Sequence, residues 1–406
     1  MAAHYLDNDI DHRIFLYLVG FLCFTTVMQI ASFEIFFENA GNDSIYGQSR
    51  LKVHSINKLV NKRDHKENPF SVQNDIFQAN ADNTRGQSMN NVDSNDNGIQ
   101  PLEEILLKAG VQMTDDIRKI LPPLKGIIEM YGSKPIIIGE DRCEAFQASI
   151  PQGDRFLAPA GMFNTGTNLL ESLLVKNCRL KLTPKKYGKK INGIKYQVPW
   201  GKHSPVGWRF KHVAPEFEHL DQSHFLPALV IKDPYTWMES MCRHKYAASW
   251  RQVSGHCPNL VPTTPQEKRM ISPRDTFQVN VQYHQYNVTH HASMSELYNE
   301  WYGNWLDVEY PRLVLRFEDL MFHPENVVER ICTCAGGKMA PGPFQYVADS
   351  AKKGKAHSGS NGLVNSMVKY GDVEKRTHAY TPMDLDYAKS SLRSDVLDMF
   401  HYGTPP

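Results

Sequence analysis

The sequence predicts an α/β protein: a P-loop-like central parallel sheet flanked by helices, preceded by a transmembrane helix and a disordered stem. Three stretches carry the α/β reading. Residues 155–174, RFLAPAGMFNTGTNLLESLL, pass from an apolar strand through Gly161 and Gly166 into a helix with Leu169, Leu170, Leu173 and Leu174 on one face. Residues 227–250 give a second strand, Leu229 to Ile231, broken by Lys232-Asp233-Pro234 before another helix. Residues 313–331 give a third, ending in Arg-Phe-Glu-Asp-Leu, after which Pro324 opens a helix with Val327, Val328 and Ile331 on one face. Strands alternating with helices build a sheet covered by helices.

From the N-terminus, residues 1–13 are a short tail containing Asp7, Asp9 and Asp11. Residues 14–33, IFLYLVGFLCFTTVMQIASF, are uncharged and long enough to span a bilayer. The acidic tail and the lack of a small-x-small cleavage site favour an uncleaved anchor over a signal peptide. Arg13 before the run and Arg50 and Lys52 after it give no charge bias for either orientation. Residues 34–100 read as a stem. Ser71 to Gln100 is rich in Asn, Asp, Ser and Gln, too polar to bury the surface that folding requires. The remaining residues, 101–406, suffice for one α/β domain. Its early elements are a helix over 102–110, another from an N-cap at Thr114 to Pro122-Pro123, and a short strand over 134–139.

The 406 residues carry a net charge of only +1, which excludes a polybasic nucleic-acid binder. Seven cysteines are present. Cys23 lies in the anchor; the six in the body permit disulfides, and Cys242 and Cys257 could close a short loop. No cluster has zinc spacing, so no metal is expected. Asn42 and Asn287 begin glycosylation sequons, which matter if the body is lumenal. Trp301 and Trp305, one helical turn apart, read as core residues.

The glycine loop has the spacing of a phosphate-binding loop, and a helix that follows such a loop offers free backbone N–H groups to an anion. Thr167 and Asn168 replace the Lys and hydroxyl that Mg-ATP needs, so the loop suits a phosphate but not Mg-ATP. An ordinary glycine turn is the other reading. Lys232 at a strand end and Ser240 two turns into the next helix could grip a second phosphate. Alternatively, Lys232 pairs with Asp233 and Ser240 caps a carbonyl.

Taken together, in this order, these segments resemble the sulfotransferases that use 3′-phosphoadenosine-5′-phosphosulfate (PAPS), over roughly residues 155–360. The resemblance implies that Asn164, Thr165, Gly166, Thr167 and Asn168 form the loop for the 5′-phosphosulfate. It implies that Lys232 and Ser240, in Lys232-Asp233-Pro234 and the helix after it, hold the 3′-phosphate. Phe317-Glu318-Asp319-Leu320 with Pro324 matches a further family segment, and Lys352-Lys353-Gly354 places Lys353 over the 3′-phosphate. Asn164 stands where the family has Lys or Arg. By resemblance to anchored, stemmed members, the chain is a single-pass Golgi membrane protein with a lumenal domain and an acceptor hydroxyl or amine, on a glycan. The alternatives are a non-catalytic binder of nucleotides or sulfated ligands and a P-loop kinase or NTPase.

Between Lys176 and His212 lie eleven Lys or Arg and no acid. This is either a solvated basic loop or a positive wall that attracts an anionic cofactor and an acidic glycan. Inside it, Gly201 and Pro205 frame a turn carrying Lys202 and His203. Lys202 is the candidate for the charge that Asn164 lacks, and His203 for the base that takes the acceptor proton. Lys211 and His212 are the rival pair.

Overall fold

Three apolar runs that are buried along their whole length, Phe156–Gly161, Phe225–Ile231 and Leu313–Arg316, form the parallel heart of a four-stranded sheet. In a computed structural model, which describes residues 101–189, 192–253, 255–272, 274–284, 287–349 and 362–405, Phe225–Ile231 lies at the centre. Leu313–Arg316 and Phe156–Gly161 flank it, and Ile137–Ile138 pairs antiparallel to the outer edge of Leu313–Arg316. The predicted span 14–33, the stem 34–100 and Lys353 lie outside the described residues. Among the described residues no helix is long and apolar enough to cross a membrane.

Register decides where a ligand can sit. Gly161 pairs with Val230, and Ile231 pairs with Arg316, so the three parallel strands end together. Their following loops gather at the carboxyl end of the sheet, the end where open α/β sheets bind ligands. Helices leave each loop: Thr167–Asn177, Pro234–Arg243, and the short Asp319–Phe322 followed by Pro324–Cys334.

The stretch expected to be a loop beyond the Thr167 helix has a more definite course. Residues 193–202 run beside Phe156–Gly161 on its free edge. Leu157 N–H donates to Gly193 O, Lys195 N–H to Leu157 O, Val198 N–H to Pro159 O, and Gly161 N–H to Lys202 O. This irregular edge delivers Lys202 and His203 to the same end of the sheet. The first half of the basic run is a solvated surface, with Lys176, Arg179, Lys181, Lys185 and Lys186 exposed. The second half is structural: Lys195 lies over the Phe156 ring, and Arg209 over Trp200 and Tyr310.

A separate three-stranded antiparallel sheet, Ala248–Trp250, Val279–His284 and Asn287–His291, packs Ala248, Trp250, Val279 and Val281 into the same core. The sequence reading passed over it, because runs such as NVTHH lack apolar alternation. Asn287 is exposed at the start of its strand. Trp301 and Trp305, in the helix Met294–Leu306, are buried as expected. All six body cysteines pair: Cys143 with Cys334, Cys178 with Cys332, and Cys242 with Cys257.

Candidate functional site at the strand ends

The loop from Met162 to Gly166 is shaped by its backbone. Gly166 has φ 87°, and a Cβ there would run into the Phe317 ring, at the end of the strand on the far side of Phe225–Ile231. Asn164 has φ 63°, in the left-handed region that Asn tolerates better than most residues. Its amide donates to His244 O at 2.8 Å, past the end of the Pro234 helix. Thr165 is buried, and its hydroxyl donates inward to Met162 O at 2.7 Å. Of the predicted loop residues, Asn164 and Thr165 therefore use their side chains to build the loop. Any ligand contact from them would come through backbone N–H groups.

Asn168 is the second residue of the helix. Its Oδ1 accepts from Lys202 Nζ at 2.7 Å. Next to it, His203 Nδ1 lies 2.7 Å from Gly161 O. A carbonyl oxygen only accepts, so Nδ1 carries the proton and Nε2 is the basic nitrogen of the neutral ring. The Phe163 ring packs against His203, 4.8 Å between centroids. The structure thus brings Lys202 and His203 to residues 161–168. The rival His212 packs its ring against Trp208, while Lys211 is exposed.

At the end of the central strand, Lys232 is 2% exposed. Its ammonium is 3.1 Å from Ser240 Oγ and 2.8 Å from Tyr370 OH, the tyrosine closing the helix Gly362–Tyr370. The Phe317 and Tyr370 rings lie against the same ammonium. Lys232 makes no ion pair among the described residues; Asp233 pairs instead with Arg376, at 2.6 Å. Ser240 commits its own proton to Thr236 O, leaving its oxygen as acceptor for Lys232 and, at 3.3 Å, for Arg243 Nη2. Two cations therefore converge on one hydroxyl, an arrangement that an anion would complete. Burial raises the Tyr370 phenol, but the Lys232 charge and hydrogen bond outweigh it and bring its pKa below the usual tyrosine range.

The sequence reading missed Arg243 and Tyr370. Arg243 left a faint signal, three residues after Ser240 on one helix face. Tyr370 left none, being 138 residues from Lys232.

Behind these groups, Glu318 is fully buried and accepts from Asp233 N–H and Tyr402 OH. Burial, then the Asp233 charge, push its carboxyl up to about 7. No group of three or more metal-ligating side chains occurs among the described residues. Compared with family models, curated proteins and solved structures, the chain has no match.

Proposed function

We propose that the chain is a PAPS-dependent sulfotransferase, anchored by residues 14–33 with its body in the Golgi lumen. The observation that carries the reading is the buried Lys232 ammonium, held by Ser240 and Tyr370, joined by Arg243 and without an ion-paired carboxylate among the described residues. A buried cation is costly unless it is paired, and a terminal phosphate taking the place of the Tyr370 hydroxyl would pair it. The loop 162–166 and the Thr167 helix then face the 5′ end of the same nucleotide, with the helix N–H groups toward its phosphosulfate.

The acceptor hydroxyl attacks sulfur in line. The bond between sulfur and the bridging oxygen breaks, and adenosine 3′,5′-bisphosphate leaves. His203 Nε2 takes the acceptor proton, and Lys202 neutralises the charge growing on the bridging oxygen. Most of the rate comes from positioning and charge stabilisation, by analogy with phosphoryl transfer.

The test is calorimetric binding of adenosine 3′,5′-bisphosphate and of adenosine 5′-phosphate to the wild type and to Lys232→Ala. The substitution is expected to cost about 1.5–3 kcal/mol with the bisphosphate, the range for a hydrogen bond to a charged group, and little with the monophosphate. Equal losses for the two ligands overturn the assignment. Bisphosphate binding without any sulfuryl transfer from labelled PAPS moves the chain to the non-catalytic reading.

A further inference from the structure

We infer that Tyr370 is a plug in the anion site, its hydroxyl standing in for the terminal phosphate, and that Phe317 couples release of the plug to the glycine loop; this rests on the sulfotransferase reading above. The plug shows in what surrounds Lys232. The ammonium is buried, and Tyr370 OH, 2.8 Å away, accepts from it where a phosphate oxygen would. The Tyr370 ring lies against the same ammonium, which is 4.2 Å from its centroid. Tyr370 is itself only 8% exposed, so a phosphate meets Lys232 only after the ring moves. That movement belongs to the side chain. Tyr370 O accepts from the buried Tyr131 OH at 2.9 Å, and Gly371, next in the chain, leaves no room for a Cβ against Pro122. The backbone is therefore pinned while the phenol leans on Lys232. A phosphate dianion takes charge-assisted hydrogen bonds from Lys232 and Arg243, and so displaces a neutral hydroxyl.

Phe317 ties this exchange to the other phosphate position. Its backbone is fixed to the central strand, with its N–H donating to Ile231 O at 2.7 Å. Its ring meets Tyr370 edge to face, at 5.0 Å between centroids and 86° between planes, and the Lys232 ammonium lies 4.6 Å from its centroid. The same ring fills the space beside Gly166, where a Cβ would collide with Cδ2 and Cε2. Gly166 is the N-cap of the Thr167 helix, so the two halves of the nucleotide site share one side chain. A close-packed ring cannot keep all three contacts when one partner leaves, and it resettles against the loop. Filling the first half thus sets the backbone of the second. A donor without its terminal phosphate meets a loop that has not been set, even where its 5′ end fits.

The experiment is a ligand cycle on the full chain. Calorimetry, with competition against the bisphosphate for weak ligands, gives the affinities of adenosine, its 3′-phosphate, its 5′-phosphate and its 3′,5′-bisphosphate. The proteins are the wild type, Tyr370→Phe and Phe317→Leu. Expected for the wild type is positive coupling: the 5′-phosphate raises affinity about tenfold more when the 3′-phosphate is present than when it is absent. Tyr370→Phe, freed of its internal hydroxyl, binds the two 3′-phosphorylated ligands about tenfold more tightly and the other two as before. A tyrosine that only packed the core, or that held the ligand, would not tighten binding when its hydroxyl is removed. Phe317→Leu keeps the separate contribution of each phosphate and loses the coupling; Phe317→Met serves the same purpose if the leucine variant does not fold. Unchanged or weaker bisphosphate binding by Tyr370→Phe overturns the plug. Coupling absent from the wild type, or kept when Phe317 is replaced, overturns the relay. Wild-type protein that binds the bisphosphate no better than the 5′-phosphate overturns the sulfotransferase reading, and this inference with it.

Discussion

Asn164 meets two local demands. It occupies a left-handed position, and its amide satisfies a carbonyl beyond the end of the Pro234 helix. A lysine would be strained at that φ and has no reason to reach that carbonyl. The cation reaches the loop from the edge segment instead, as Lys202, with its backbone carbonyl on Gly161 and its ammonium on Asn168. Under the proposed mechanism, His203→Ala and Lys202→Ala each lower turnover by about two orders of magnitude, the scale of acid–base catalysis, with bisphosphate affinity largely kept. Single-turnover kinetics with bound PAPS check this. Near-normal rates in the double variant would return the base to His212. The sequence nominated Lys202 and His203 from turn residues and a charge run. The hydrogen bonds that orient them come from residues 34 and 42 positions earlier, pairings that no local pattern encodes.

Among the elements, the Pro234 helix is the one whose placement the site depends on. Pro234 opens it, and Asp233 caps it by accepting from the Tyr235 and Thr236 N–H groups. The same carboxylate pairs with buried Arg376, which lies beyond the Gly362 helix that supplies Tyr370. Asp233→Ala removes a cap and leaves Arg376 buried without its partner. A loss of about 3–5 kcal/mol is expected in urea unfolding, the scale for breaking a buried pair. An effect below about 1 kcal/mol, typical of an exposed pair, would show that Arg376 escapes to water. The strand and helix of this unit were legible, because Leu229 to Ile231 are apolar and Lys-Asp-Pro is a stop followed by a start. The alternative reading, in which Lys232 pairs with Asp233, does not hold, since Asp233 faces Arg376. The ion pair joins positions 143 apart, so the sequence could not show it.

For the molecule as a whole, two buried groups give stability the same dependence on pH. His256 lies between Glu267 and Asp384, with one ring nitrogen toward each carboxylate. Burial works against its charge, but hydrogen bonds and charges from Asp384 and Glu267 outweigh it and raise its pKa. This clamp ties the 256–267 segment to the helix Pro382–Ser391. A raised histidine contributes stability that is complete below its unfolded value, near 6.5, and is lost as pH rises through its folded value. Glu318, raised by burial and by Asp233 to about 7, follows the same sign: folding is favoured while it is protonated, and that advantage fades as pH climbs from about 4.5 to 7. The melting temperature is therefore expected to fall from pH 5 to pH 8. Glu318→Gln should flatten the lower part of the slope and His256→Gln the upper part. A melting temperature that rises over this range would contradict both assignments. At this scale the parallel sheet was readable from three apolar runs and their order. The clamp was not, because His256 reads alone as an ordinary loop histidine and Asp384 lies 128 residues away.

The bridge between Cys178 and Cys332 has a mechanical consequence. Cys178 directly follows the Thr167 helix, and Cys332 sits in Pro324–Cys334, so the far end of the loop helix is bolted to its neighbour. Asn177 adds a second fastening, with its amide on Gln345 O and its carbonyl oxygen on Gln345 N–H. The helix is thus a beam fastened at its base, with its tip toward the proposed anion site, so under that proposal adjustment to a docked charge falls to the short loop in front.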